Sequence, residues 1–152
     1  MNTDYALNTD YAPSPSAWVA KQVELIESSG GSQGTMMRNM PVIVITMRGA
    51  VSGKIRKVPV MRVEHDGKYA AVASKGGAPA HPSWYLNLAA NPEVRVQVYD
   101  RTFAARARTA TAEEKPGLWS LMASIWPDYV EYTKKTTRDI PVVVLEPVAD
   151  TE

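Results

Sequence analysis

Three groups of residues have the types and spacing to do chemistry. The first is Ser74-Lys75-Gly76-Gly77, a small polar stretch with paired glycines, just after the apolar run that ends at Ala73. Glycine tolerates positive φ and close approach, so such a loop can turn several backbone N–H groups toward one point. Lys75 adds a positive charge, and Trp84 and Tyr85 offer flat apolar surface a few residues on. An anionic, ring-containing ligand suits this combination. A plain strand-to-helix connection with core aromatics fits the same pattern. The second group is the run Arg48-Gly49-Ala50-Val51-Ser52-Gly53-Lys54-Ile55-Arg56, a loop with two glycines and three cations. The third is Tyr129 and Tyr132, three residues apart and so on one face of a helix. A tyrosine, with an ordinary pKa of about 10, is protonated at neutral pH and can give a proton to a developing enolate or alkoxide. Helix packing is the competing reading of that pair.

Other chemistries find little support. The chain has no cysteine, which removes disulfides, thiolate zinc sites and a cysteine nucleophile, and fits a reducing cytoplasm. His65 and His81 share no ligand spacing with each other or with a carboxylate pair, so no metal is expected. No G-x-G-x-x-G follows the first strand, and there is no P-loop and no G-x-S-x-G. A formal charge of +1 gives no electrostatic case for nucleic acid. The longest apolar run, Met40 to Met47, is too short to span a bilayer. No signal-peptide pattern opens the chain, and a cytoplasmic location is expected.

These groups need elements to hold them. A chain of 152 residues is most simply one domain. Residues 1–13, with a local echo of Asn-Thr-Asp-Tyr-Ala, read as a flexible or loosely docked arm, 14–147 as the domain and 148–152 as a tail. Ser14-Pro15 looks like a helix start, with Val19, Val23 and Ile26 at helical spacing and Trp18 beside them. That helix lacks lysine and arginine enrichment on its polar face, so core covering is favoured over a lid on a ligand or a membrane contact. Pro41 to Thr46 is a strand buried on both faces, Val58 to Glu64 a second, and Asp66-Gly67 a hairpin turn into a third at Tyr69 to Ala73. Pro82 to Ala90 is a short helix. Glu93 to Tyr99 and Thr102 to Arg108 form a hairpin, with Arg95, Arg101, Arg106 and Arg108 on its solvated face. Thr111-Ala112-Glu113-Glu114 is a capping box, although Pro116 requires a late start. A further helix follows Pro127, and Ile140 to Glu146 is the last strand. The expected fold class is α+β: about six mainly antiparallel strands, closed or nearly closed, with flanking helices.

The motifs, in their order, resemble the deazaflavin-dependent nitroreductase family, the A group of flavin/deazaflavin oxidoreductases. The carrying residues are Pro41-Val42-Ile43, Arg48-Gly49-Ala50, Ser52-Gly53-Lys54, Arg56, Pro59, Ala73-Ser74-Lys75-Gly76-Gly77, Pro82, Trp84-Tyr85, Asn87-Leu88, Asn91-Pro92, Pro127, Tyr129 and Ile140-Pro141. The resemblance spans about Ser14 to Pro147. It implies a split β-barrel like that of the FMN-binding pyridoxamine-phosphate-oxidase superfamily, and reduced coenzyme F420 as hydride donor, with FMN as the alternative. It implies hydride transfer to a small electrophilic substrate, an electron-poor conjugated acceptor such as an enone, quinone, coumarin-like lactone or nitroaromatic, and a monomer or homodimer; a non-catalytic module that binds deazaflavin, lipid or haem is the alternative. The implied cofactor-binding residues are Arg48, Ala50, Val51, Ser52, Gly53, Lys54, Arg56, Pro59, Ala73, Ser74, Lys75, Gly76, Gly77, Trp84, Tyr85 and Asn87, the cations meeting the cofactor's phosphate and oligoglutamate. Tyr129 and Ser74 are the implied catalytic residues, and Tyr129, Tyr132 and Trp126 the implied substrate wall. One departure stands out: the family usually has lysine where this chain has Val51.

Overall fold

The strand β2 (Met40–Arg48) organises the fold. Its β-branched run buries both faces: Ile43, Ile45 and Met47 on one, Val42 and Val44 on the other. In the computed structural model the described residues are 11–14, 16–37, 40–73 and 81–148. The Ser74-Lys75-Gly76-Gly77 stretch and residues 1–10 lie outside them.

β2 pairs along one edge with β3 (Ile55–Met61), Val42 opposite Met61 and Arg48 opposite Ile55. Along the other edge it pairs with β6 (Glu93–Val98), and the two-residue β1 (Met36–Met37) adds to its start. β6 turns into β7 (Arg101–Thr109), which pairs with β8 (Val142–Pro147). β8 pairs with β5 (Lys68–Val72), and β5 with β4 (Val63–His65). Only Arg62 separates β3 from β4, and its N–H still donates to the Pro41 carbonyl at 2.8 Å. The two are one long strand that serves β2 with its first half and β5 with its second. That change of partner closes an antiparallel split barrel. The expected fold class holds. Eight strands among the described residues stand for the expected six, because β3 and β4 are one stave and β1 is a short extension.

The barrel is filled by Ile43, Ile45, Met47, Val94, Val96, Val98, Val143 and Leu145, with Leu88 of α2 (Ser83–Ala90) reaching in. Two clusters cover its outside. Val23 and Ile26 of α1 (Ala17–Ser28) lie on Val42 and Val44. Met122 of α3 (Lys115–Ile125) and Tyr129 of α4 (Asp128–Thr133) lie on Val63, Ala70, Val72 and Val142. The hairpin at Asp66-Gly67 takes positive φ at both positions, +53° and +74°, as a tight β-turn of that kind requires.

Some boundaries differ from expectation. α1 starts at Ala17, not after Ser14-Pro15; the Ser14 hydroxyl instead accepts the Ser16 N–H at 3.1 Å, a local turn that delays the helix. Trp18 is 59% exposed, on the side of α1 away from the barrel. The Thr111/Glu114 pairing forms as read, each backbone N–H donating to the other's side chain, at 2.9 and 3.2 Å. The α-helix begins only at Lys115, which puts Pro116 in the first turn, where a missing N–H costs nothing. Two of the hairpin arginines are not simply solvated: Arg101 donates to the Tyr69 hydroxyl and Arg108 bonds both Glu114 and Glu146.

Candidate active site

The Arg48–Arg56 loop is shaped mostly by its own backbone. Gly49 N–H donates to the Lys54 carbonyl (2.7 Å), and Gly53 N–H to the Gly49 carbonyl (3.1 Å). Gly53 has φ +70°, open to glycine without strain. The Ser52 hydroxyl accepts the Lys54 N–H (3.1 Å), and Arg48 Nη1 donates to the Gly53 carbonyl (2.9 Å). α2 holds the loop from outside. Asn87 Oδ1 accepts the Ala50 N–H at 2.9 Å, and Asn91 Nδ2 donates to the Arg48 carbonyl at 3.3 Å. Loop and helix therefore move as one unit. Val51 is wholly exposed at the tip, beside Ser52, Gly53 and Lys54.

Beside this unit is a cavity of about 270 Å³. Met47, Arg56, Lys57 and Val58 line it from the barrel, Ser83, Trp84 and Asn87 from α2, and Ala12, Ser14 and Ser16 from the N-terminal segment. The α2 set follows from helical geometry, since residues i and i+4 share a face. Lys57 was not singled out from sequence. Its Nζ is buried against Glu27 of α1 at 2.5 Å, and the Tyr11 ring lies 4.9 Å away. Burial and then Glu27 push the Tyr11 phenol above its usual range. Flat aromatic surface and cations thus meet in one space. The volume is just below the roughly 300–1,000 Å³ usual for small-molecule sites.

Other candidates lie elsewhere. Tyr85, next to Trp84, points about 100° around the helix; its hydroxyl pairs with Thr109 Oγ1 at 3.0 Å and its ring lines a different cavity. Pro59 is buried within β3 opposite Val44 and does not line the Trp84 cavity. Tyr129 is 7% exposed between the sheet and the rings of Trp119 and Tyr132, with centroids 6.3 and 6.1 Å away. Its hydroxyl donates to Met61 Sδ at 3.5 Å. Burial, helped by Tyr132, pushes its pKa up to about 12. Tyr132 and Trp126 pack against the same cluster. The structure therefore brings Arg56, Trp84 and Asn87 together, and gathers Tyr129, Tyr132 and Trp126 in a second group that does not line that cavity.

Ala73 stands just before the undescribed segment, with its N–H on the Pro141 carbonyl at 2.9 Å. Arg138, also missed from sequence, reaches both flanks of that segment: Nη1 donates to the Ala73 carbonyl (3.1 Å) and contacts His81 Nδ1 (2.9 Å). A guanidinium has only donors, so His81 Nδ1 is the acceptor in this pair. The His81 ring in turn packs on Tyr85, centroids 5.0 Å apart.

The class is set by the fold: an antiparallel split barrel, shared with a protein of Listeria innocua described as a pyridoxamine 5′-phosphate oxidase candidate. That structure superposes with a TM-score of 0.50 at 13% identity, over 84% of this chain and 94% of the other. Nearer relatives narrow it. A solved F420-H2 dependent reductase (FDR-A) shares 51% identity with a TM-score of 0.65, over 70% of this chain and 94% of its own. An F420H(2)-dependent quinone reductase of Mycobacterium tuberculosis is 33% identical over 108 residues, 69% of this chain and 72% of that one. Residues 18–147 match the family model described as F420H(2)-dependent quinone reductase, and the chain belongs to that family of reductases, whose cofactor is reduced coenzyme F420. Among the described residues no helix is long and apolar enough to cross a membrane.

Proposed function

We propose that this chain reduces electron-poor conjugated acceptors, quinones first among them, with enones, coumarin-like lactones and nitroaromatics in the same chemical class. The observation that carries the reading is the cavity lined by Trp84, Asn87 and Arg56 beside a cationic loop. Its donor set fits a flat ring that carries a phosphate and an oligoglutamate. Reduced coenzyme F420, when bound, supplies a hydride from C5 of its deazaflavin. Arg56 and Lys54 hold the anions by charge-assisted hydrogen bonds. Trp84 would pack close to the ring, and Asn87 keeps the loop in place; Ser74 to Gly77, outside the described residues, would hold the deazaflavin end or its linker through backbone N–H groups. Ser74 helps orient the acceptor. The protein's contribution is distance, angle and a proton.

Tyr129, or a water it holds, gives that proton to the end of the conjugated system opposite the hydride, with Tyr132 and Trp126 as the acceptor's wall; because these three do not line the Trp84 cavity, the acceptor must reach from the cofactor to the Tyr129 cluster. An ordinary tyrosine is already protonated throughout the neutral range, so the raised pKa adds nothing on that side. The same shift makes it a weaker acid, so the transfer needs an acceptor that gains basicity as the hydride arrives. Turnover of a quinone by Tyr129→Phe should fall by about a hundredfold, with cofactor affinity unchanged. Full turnover by that variant removes Tyr129 from the chemistry. A native chain that fails to oxidise the reduced cofactor with any quinone or enone of a panel is a binding module, and tight FMN binding with no coenzyme F420 binding makes it a flavin enzyme.

A further inference from the structure

The segment Tyr11–Ser16 lies N-terminal to the span matched by the family model, which starts at residue 18. It is docked on β3. Tyr11 forms a parallel bridge with Ile55, and the Ala12 N–H donates to the Ile55 carbonyl at 2.9 Å. Arg56 Nη1 donates to the carbonyls of Ala12 (3.0 Å) and Pro13 (3.3 Å). Ala12, Ser14 and Ser16 then line the same cavity as Arg56 and Trp84.

We propose that this segment is a working wall of the cofactor cavity and acts through Arg56, whose guanidinium it aims. The inference rests on the cofactor reading above and adds to it a positioning element. A free arginine side chain has many rotamers, and fixing it when a ligand arrives weakens binding. Here the two carbonyls fix it beforehand. They engage Nη1, and the planar fork carries five N–H donors in all, so their effect is to set the plane in which the remaining donors meet an anion. The carbonyls and an incoming phosphate or carboxylate are all acceptors for one donor group, and they are served by different N–H bonds of it.

The test is a double-mutant cycle on coenzyme F420 affinity. Four chains are titrated: native, lacking residues 2–13, Arg56→Ala, and both changes together. Removal of the segment should weaken binding about tenfold in the native background and less than about twofold in the Arg56→Ala background, because interacting sites are non-additive. In steady state the cofactor KM should rise with kcat at saturation unchanged, a split that a general loss of fold would not give. Equal loss in both backgrounds, no loss, or tighter binding by the shortened chain overturns the proposal; the last would mean that the segment blocks Arg56. If the shortened chain does not fold, Ala12→Pro removes the N–H that bonds Ile55 and is read in the same cycle. If the native chain binds no coenzyme F420, the functional reading has failed by itself, and the cycle is read with inorganic phosphate under the same criteria.

Discussion

At the scale of single residues, the loop at Arg48–Arg56 is built so that its shape does not depend on the residue at its tip. Backbone bonds and Asn87 hold it, while Val51 points wholly into solvent. Val51→Lys therefore costs no packing and adds a cation beside Lys54. Exposed ion pairs contribute about 0.2–1 kcal/mol, so coenzyme F420 should bind about 1.4- to fivefold more tightly, less so at high salt. A titration at low ionic strength that shows no change would mean that position 51 does not face the cofactor's anions. Asn87 came only from the family resemblance, whereas Arg56 in a cationic glycine loop and Trp84 beside Tyr85 on a short helix were singled out by type and position. Lys57 and Arg138 were not. Their roles depend on Glu27, Ala73 and His81, partners that no local pattern connects to them. Trp18, which stands beside the apolar stripe of α1 in the sequence, lies on the surface.

At the scale of elements, α3 shows how far a motif can be trusted. Thr111 and Glu114 pair as a capping box should, yet Pro116 moves the helix start to Lys115. What the motif does not reveal is that Glu114 also binds Arg108 of β7, which in turn binds Glu146 of β8. The Arg108 hydrogen bond, then the Thr111 N–H, lowers the Glu114 pKa to about 2, and Arg108 followed by Lys68 lowers that of Glu146. A depressed carboxyl pKa stabilises the fold above the unfolded value near 4.5 and ceases to do so as pH falls toward the folded one. Thermal melting should therefore drop between about pH 4.5 and pH 2, and Glu114→Gln should flatten that drop. An unchanged slope in the variant would show that the network contributes nothing to acid stability. The strand pattern was likewise legible in its alternation and its turns. The break at Arg62 was not, because it reflects a change of neighbour from β2 to β5, which is a property of the closed sheet.

At the scale of the whole molecule, burial falls from the barrel staves to the rim: β2, like β8, has neighbours on both edges and apolar cover on both faces. Its two-sided character was plain in the sequence as an unbroken β-branched run. The gradient has a temporal meaning. Local opening frees amides at the rim without global unfolding, whereas those of Ile43 to Ile45 are released only when the barrel itself comes apart. In deuterium uptake measured by mass spectrometry, peptides covering Ile43–Ile45 should be the last to gain mass, and the Tyr11–Ser14 segment among the first. Uptake in β2 as fast as in α4 would mean that the barrel breathes along its central stave. If β2 is the slowest, its exchange rate reports the global unfolding free energy, and every other segment can be timed against that internal clock.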